Sequence, residues 1–198
     1  MTKFLIENNK ISRTIDISSN TKERISIVDI NDSNITMDIV INVFENSSVV
    51  LNLASFSETT KKNYNITVNH FSSNSYSECN VFGVSKNNSH IKFDLTAKID
   101  DLSLSNKCKQ SISGILLSND SSIVGAPNLI INTNSIKAEH SLSIGKINQN
   151  KLFYLISKGL SKKDALYLLV MGYFNNCLKN LKNEYLKEKV ENKIKDKL

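Results

Sequence analysis

The sequence holds one proline, six glycines and no tryptophan in 198 residues, and its three cysteines stand at positions 79, 108 and 177. With so few chain breakers, the turns fall to asparagine and serine, whose side chains bond their own backbone and tolerate tight conformations. The cysteines are odd in number, far apart, and form no Cys-x-x-Cys pair. Neither a disulfide framework nor a zinc site is indicated. No apolar run approaches the length of a membrane span, and the opening MTKFLIENNK carries no apolar h-region. The expectation is a reduced, cytoplasmic protein that meets no membrane.

Several motifs are missing as well. Gly145-Lys146 is followed by Ile147, with no glycine at P-loop spacing before it, and no GxGxxG, HExxH or GxSxG occurs. The chain is therefore expected to bind no nucleotide itself. The three histidines, His70, His90 and His140, are too far apart to mark a local catalytic triad.

What is present is a moderately apolar chain, 40% hydrophobic and 22% charged, long enough for one sizeable core or for a body with a small appendage. The net charge of +6 is unevenly placed. Residues 1–150 carry 14 Lys/Arg and 14 Asp/Glu, whereas residues 151–198 carry 11 lysines and five acids. A nucleic-acid binder would be basic over a folded face rather than only at one end, so no nucleic-acid partner is expected. The basic end reads as a solvated lysine-rich face or as a contact for an acidic partner.

From Phe4 to Ile147 apolar residues recur at period two in short runs. The clearest are Ile25 and Ile27; Ile35, Met37, Ile39, Ile41 and Val43; Val49, Leu51 and Leu53; Ile66 and Val68; Ile91, Phe93, Leu95, Ala97 and Ile99; and Leu102 with Leu104. This alternation predicts strands. Polar turns separate them at Asn31-Asp32-Ser33-Asn34, Glu45-Asn46-Ser47-Ser48, Lys86-Asn87-Asn88-Ser89 and Ser118-Asn119-Asp120-Ser121. Strands without intervening helices leave a sandwich, a barrel or a solenoid. No strict repeat period decides among them.

Near residue 150 the spacing becomes helical. Asn150 is a candidate cap for a helix with Leu152, Phe153, Leu155 and Ile156 on its apolar face, stopped by Gly159. Ser161 and Asp164 resemble a capping box for a second helix, with Ala165, Leu168, Leu169, Tyr173 and Cys177 on one stripe. A weakly amphipathic third segment carries Leu181, Tyr185, Val190, Ile194 and Leu198.

One ordered constellation goes further. Pro127 and Leu129; Lys137, Ala138, His140, Ile144 and Gly145; Leu152-Phe153-Tyr154-Leu155; Lys158-Gly159-Leu160-Ser161; Asp164-Ala165; and Leu168-Leu169 together resemble the C-terminal signature of the SufB/SufD family. These are the core subunits of the SUF iron–sulfur cluster assembly complex. A fainter likeness runs back through Gly114-Ile115-Leu116-Leu117-Ser118 to His90. His140 is followed by Ser141, where SufD-type chains carry glycine and SufB-type chains glutamate. Ser111-Ile112-Ser113-Gly114-Ile115 lacks the cysteine of the SufB type, so the likeness is to a short, SufD-like member.

The resemblance implies a mainly β fold: a right-handed parallel β-helix over residues 1–148 and a small α-helical domain over 149–198. It implies a non-catalytic subunit that pairs near Lys137–Ile144 with itself or with a SufB-like paralogue. The helices would dock the SUF ABC-type ATPase (SufC-like) through Leu152, Phe153, Tyr154, Lys158, Gly159, Ser161 and Asp164. They would also cap the open end of the solenoid, with apolar residues toward the body and Tyr154, Lys158, Lys162, Lys163 and Asp164 outward. Full-length members carry an N-terminal helical region that is not seen in this chain.

His140 is the candidate metal ligand, joined by Glu139 and Cys108 around a transient iron–sulfur cluster. Read from the residues alone, His140 is an edge-strand histidine and Cys108 a small buried hydrophobe. The alternative function is a homodimeric scaffold that itself holds the nascent cluster. A carbohydrate-active solenoid is a third reading, but it needs a close pair of carboxylates, and Asp38 and Asp94 are spread one per strand.

Overall fold

The computed structural model describes residues 10–101, 103–179 and 183–198. The readings placed above on Phe4, Leu102 and Leu181 lie outside them. Ten strands follow one another: β1 (Lys10–Ile17), β2 (Lys22–Asp29), β3 (Ile35–Val43), β4 (Ser48–Ser57), β5 (Lys61–His70), β6 (Tyr76–Ser85), β7 (His90–Ile99), β8 (Asn106–Leu116), β9 (Ser122–Ile131) and β10 (Ile136–Lys146). The odd strands form one parallel sheet, β1-β3-β5-β7-β9, and the even strands the other, β10-β8-β6-β4-β2. Two strands make a coil, and five coils stack as a parallel β-solenoid with the core between the sheets.

Alternating side chains explain why the coils stack. Ile39, Ile66, Leu95 and Pro127 are register partners across the odd sheet. Ile27, Leu53, Val81, Ile112 and Leu142 are partners across the even one. Each inward apolar residue is buried only because the next coil supplies its neighbour, as in other solenoids. At one inner rung the two sheets come very close. A Cβ on Gly114 would meet Ile123 Cδ1 at 2.7 Å, so any larger residue there would have to displace the Ile123 side chain.

The corners explain the shortage of glycine and proline. Where odd strands turn into even ones, Asn20, Asn46, Asn74 and Ser105 hold φ between 54° and 60°. Each donates its backbone N–H to the same corner of the next coil: to Glu45, Ser73, Leu104 and Ser135 carbonyls at 2.9, 3.2, 2.9 and 2.8 Å. Asparagine reaches the left-handed region at lower cost than most side chains. The same residue type can therefore turn three successive coils.

A buried polar knot fastens the first coils. Lys62 Nζ lies 3.1 Å from Asp29 Oδ1, and both side chains are fully buried. Tyr64 donates its hydroxyl to Asp29 Oδ2 at 2.5 Å, and Lys62 also donates to the Phe56 carbonyl at 2.9 Å. Burial lowers the Lys62 pKa while the Asp29 carboxylate pulls it back up. The Tyr64 ring stacks on Phe93 at 5.2 Å.

Three helices follow: α1 (Gln149–Ser157), α2 (Lys162–Leu178) and α3 (Glu184–Lys197). The first cap is Asn148 rather than Asn150; its side chain accepts from Lys151 N at 3.0 Å. Gly159 ends α1 at φ +94°, with Gly159 N bonded to Ile156 O and Leu160 N to Leu155 O in a Schellman pattern. Ser161 caps α2 by accepting from Asp164 N at 3.1 Å while its hydroxyl donates to the Asp164 carboxylate. Asn183 caps α3.

The helices do not close the end of the solenoid. Val170, Met171, Phe174, Cys177 and Leu178 of α2, with Val190 and Ile194 of α3, bury the outer face of the even sheet at Val28, Ala54, Phe56, Phe82 and Val84. The expected α2 stripe is rotated accordingly, for Leu168 and Tyr173 are exposed. Lys197 pins α3 to Asp32, and Lys193 reaches the same carboxylate at 3.1 Å. Lys86, paired with Glu58 at 3.1 Å, donates to the Lys197 carbonyl at 2.6 Å. Three successive turns thus hold one helix end. No helix among the described residues is long and apolar enough to cross a membrane.

Removing Lys62 strands a buried carboxylate, which costs far more than an exposed ion pair contributes. Lys62→Met is expected to lower the unfolding free energy by about 3–5 kcal/mol, read from urea denaturation of the full chain.

Candidate functional site

The last coil is where the candidate ligands lie. The even sheet ends at β10, and its inward rung Ile25, Leu51, Cys79, Gln110 finishes at His140. His140 is exposed because no further strand among the described residues covers β10. Leu142, on the same inward face, is 51% exposed although its register partner Ile112 is fully buried. Ile131 at the end of β9 is also open. The apolar core therefore runs out to the edge of both sheets there.

Strand alternation separates the proposed ligand set. Cys108 pairs in register with Ala138 and faces inward with Ala97 and Ile99. His140 shares that inner face one coil further on. Glu139 lies between Ala138 and His140 and so points to the outer face, where its charge bears on Tyr76. The structure thus brings Cys108 and His140 to one face and puts Glu139 on the other. Among the described residues no group of three or more His, Cys, Asp or Glu side chains is arranged to hold a metal ion. Burial pushes the Cys108 thiol up to about 11 and the Cys79 thiol up to about 12, so both stay protonated in the closed core.

The remaining histidines do structural work. His70 is enclosed at the end of β5, with Nδ1 2.6 Å from Ser75 Oγ and Nε2 2.8 Å from Ser77 Oγ. His90 Nδ1 lies 2.6 Å from Ser122 Oγ on the next coil. The carboxylates of Asp38 and Asp94 are engaged separately, by Asn65 at 2.7 Å and by Lys92 at 2.7 Å.

The second candidate region is the α1–α2 hairpin. Leu152 alone of α1 is buried. Phe153 is 74% exposed, and Tyr154 and Ile156 are exposed beside it. This corrects the expectation that apolar residues of the hairpin turn to the body. Lys158 Nζ sits 5.4 Å from the Tyr154 ring centre, and Lys158, Gly159 and Ser161 are exposed, with Asp164 half-buried in the capping box. Two aromatic rings and an isoleucine thus stand outward on one short helix, outside the core. The outward turn of Phe153 and the bare rung at Leu142 escape sequence reading, because both depend on which neighbour is absent.

A family description, SUF system FeS cluster assembly, SufBD core domain, matches residues 11–173. A protein of Pyrococcus horikoshii named as an iron–sulfur cluster assembly SufBD family protein is 35% identical over 78 residues, which is 39% of this chain and 18% of the relative. Proteins with the same description from Staphylococcus saprophyticus and Staphylococcus haemolyticus are each 32% identical over 74 residues, 37% of this chain and 16% of theirs. The match thus spans less than a fifth of each of these curated relatives.

Burial pushes the His70 pKa from 6.5 down to about 4. The folded state therefore binds fewer protons than the unfolded state between those values. Stability is held above pH 6.5 and falls as the pH drops toward 4, by roughly 3 kcal/mol if unfolded His70 titrates normally. In His70→Gln, urea denaturation across that range is expected to show a correspondingly flatter pH dependence.

Proposed function

This chain belongs to the SufBD core family of the SUF iron–sulfur cluster assembly system, and on that premise we propose that it is a non-catalytic assembly subunit. Its solenoid pairs through the last coil with a second copy or with a SufB-like paralogue, and α1 with the start of α2 docks the ABC-type ATPase. The observation that carries the reading is the outward set Phe153, Tyr154 and Ile156, which the body leaves unburied. Exposed aromatic side chains grouped on a rigid helix are the anchors that protein partners bury. The Schellman turn at Gly159 and the Ser161–Asp164 box fix the angle between α1 and α2, so the surface is presented in one geometry.

Pairing is supported by the bare inner rung at Leu142 and Ile131. An uncovered core end with unpaired strand edges invites another chain. The family's cargo, an iron–sulfur cluster, enters this reading at His140, an exposed imidazole on that edge. The alternative, a homodimeric scaffold holding the cluster, needs ligands from both copies. Cys108 is buried and Glu139 faces the other way, so one chain does not assemble the set.

Leu142→Arg tests the pairing. A charge on the open rung is expected to convert the full chain, or its complex with the paralogue, from dimer to monomer in light scattering, with an unchanged melting temperature. Equal dimer populations in wild type and variant would remove the last coil as the pairing edge.

A further inference from the structure

One coil beneath the open edge, a buried amide oxygen lacks a donor. Gln110 stands on the inward face of β8 and is 3% exposed. Its Nε2 donates to the Asn128 carbonyl of β9 at 3.3 Å, which fixes the sense of the amide. Oε1 is then the end left over, and it has no hydrogen-bond partner. A carbonyl oxygen shut away from water without a donor is costly, so a donor within reach is drawn to it.

Four inward positions surround Gln110 in the even sheet. Cys108 and Ile112 flank it along β8, while Cys79 pairs with it from β6 and His140 from β10. Register partners on neighbouring strands stand about 4.8 Å apart. Isoleucine has no donor and a thiol is a weak one, so His140 is the one strong N–H donor among the four. Its imidazole does not bond Oε1 in the present rotamer. It is exposed, however, and exposed side chains exchange rotamers readily.

The chemistry of the pair is one-directional. A neutral imidazole donates through one nitrogen and accepts through the other. An amide oxygen only accepts, so the nitrogen that faces Gln110 must carry the proton. The opposite nitrogen is then unprotonated and faces the open edge.

We propose that Gln110 is a positioning residue for His140: its Oε1 accepts from the imidazole, fixes the tautomer, and so presents the lone pair of the opposite nitrogen at the last-coil edge. The use of that lone pair rests on the reading of His140 as the point where the cargo meets this chain. The hydrogen bond itself does not.

The test observes the ring nitrogens of the full chain, isotope-labelled at histidine, by NMR at about pH 8, above the ordinary histidine pKa. His140→Gln identifies the His140 signals. In the wild type the His140 ring N–H is expected to be protected from solvent exchange and observable. The ratio of its two tautomers is expected to differ about fivefold from that in Gln110→Met, the change that one hydrogen bond of ordinary net strength produces. His70 and His90, held by serine hydroxyls, keep their signals in both chains and report that the variant is folded. A rapidly exchanging His140 N–H in the wild type, a result that needs no variant, would overturn the proposal. So would the same tautomer ratio in both chains, which would make solvent rather than His140 the donor to Oε1. Light scattering on the same samples reads pairing separately, so failure of the last-coil edge is not confused with failure of the Gln110 assignment.

Discussion

In-register stacking of inward side chains is the constraint on which the molecule depends. A coil has no interior of its own, so Ile39 is buried because Ile66 lies over it, and Ile66 because Leu95 does. Each such side chain contributes on the order of 1.5–3 kcal/mol when fully removed from water. The arrangement is strong in the middle and deficient wherever the stack stops. At β9 and β10 it stops with the inward-face residues Ile131 and Leu142 left open to solvent. The interaction edge of the proposed function is thus a direct consequence of how the core is built.

Polar groups in this core are placed where stacking alone would leave ambiguity. The Asp29–Lys62–Tyr64 knot joins β2 to β5, and His70 joins the end of β5 to Ser75 and Ser77 at the corner and on β6. Buried pairs of this kind add little net stability over apolar replacements but are costly to break. Their effect is to penalise a shifted register. On the outside, Lys193 and Lys197 close α3 onto Asp32, whose carboxyl is raised by partial burial but lowered more by those two lysines, so it stays ionised. The helices are thereby fixed to the flank of the body, and α1 is left with Phe153 and Tyr154 exposed.

Much of this was legible in the sequence. The strands β3, β4, β5 and β7 follow from their alternating Ile, Val and Leu, and the turns from their Asn and Ser. Strands β6 and β8 were obscured because inward positions hold Ser77, Cys79, Asn106, Cys108 and Gln110, which do not read as apolar. The repeat was hidden for a geometric reason. Lys10 pairs with Thr36, Ile35 with Lys62, Lys61 with His90 and His90 with Ser122, so the coil lengthens from 26 to 27, 29 and 32 residues. The turns absorb the extra length and the strands stay in register. The helix α2 is apolar around most of its circumference, which is why spacing did not identify the face that Val170 and Phe174 bury. Its place on the sheet flank, rather than over the open end, is a tertiary choice set by the apolar outer residues Val28, Ala54 and Phe82. That Cys108 and His140 share one face depends on the strand register, which the sequence did not reveal, whereas the separation of Glu139 from His140 follows from strand alternation alone.

The proposed function rests on α1 as a docking surface for an ABC-type ATPase. The most direct measurement is co-expression of the full chain with such an ATPase from a SUF system, followed by affinity capture with nucleotide present. Wild type is compared with Phe153→Asp, an exposed position. Stoichiometric capture by the wild type and its loss in the variant are expected, with the two chains melting at the same temperature. A folded wild type that captures no ATPase, or a variant that captures it equally well, would contradict the claim.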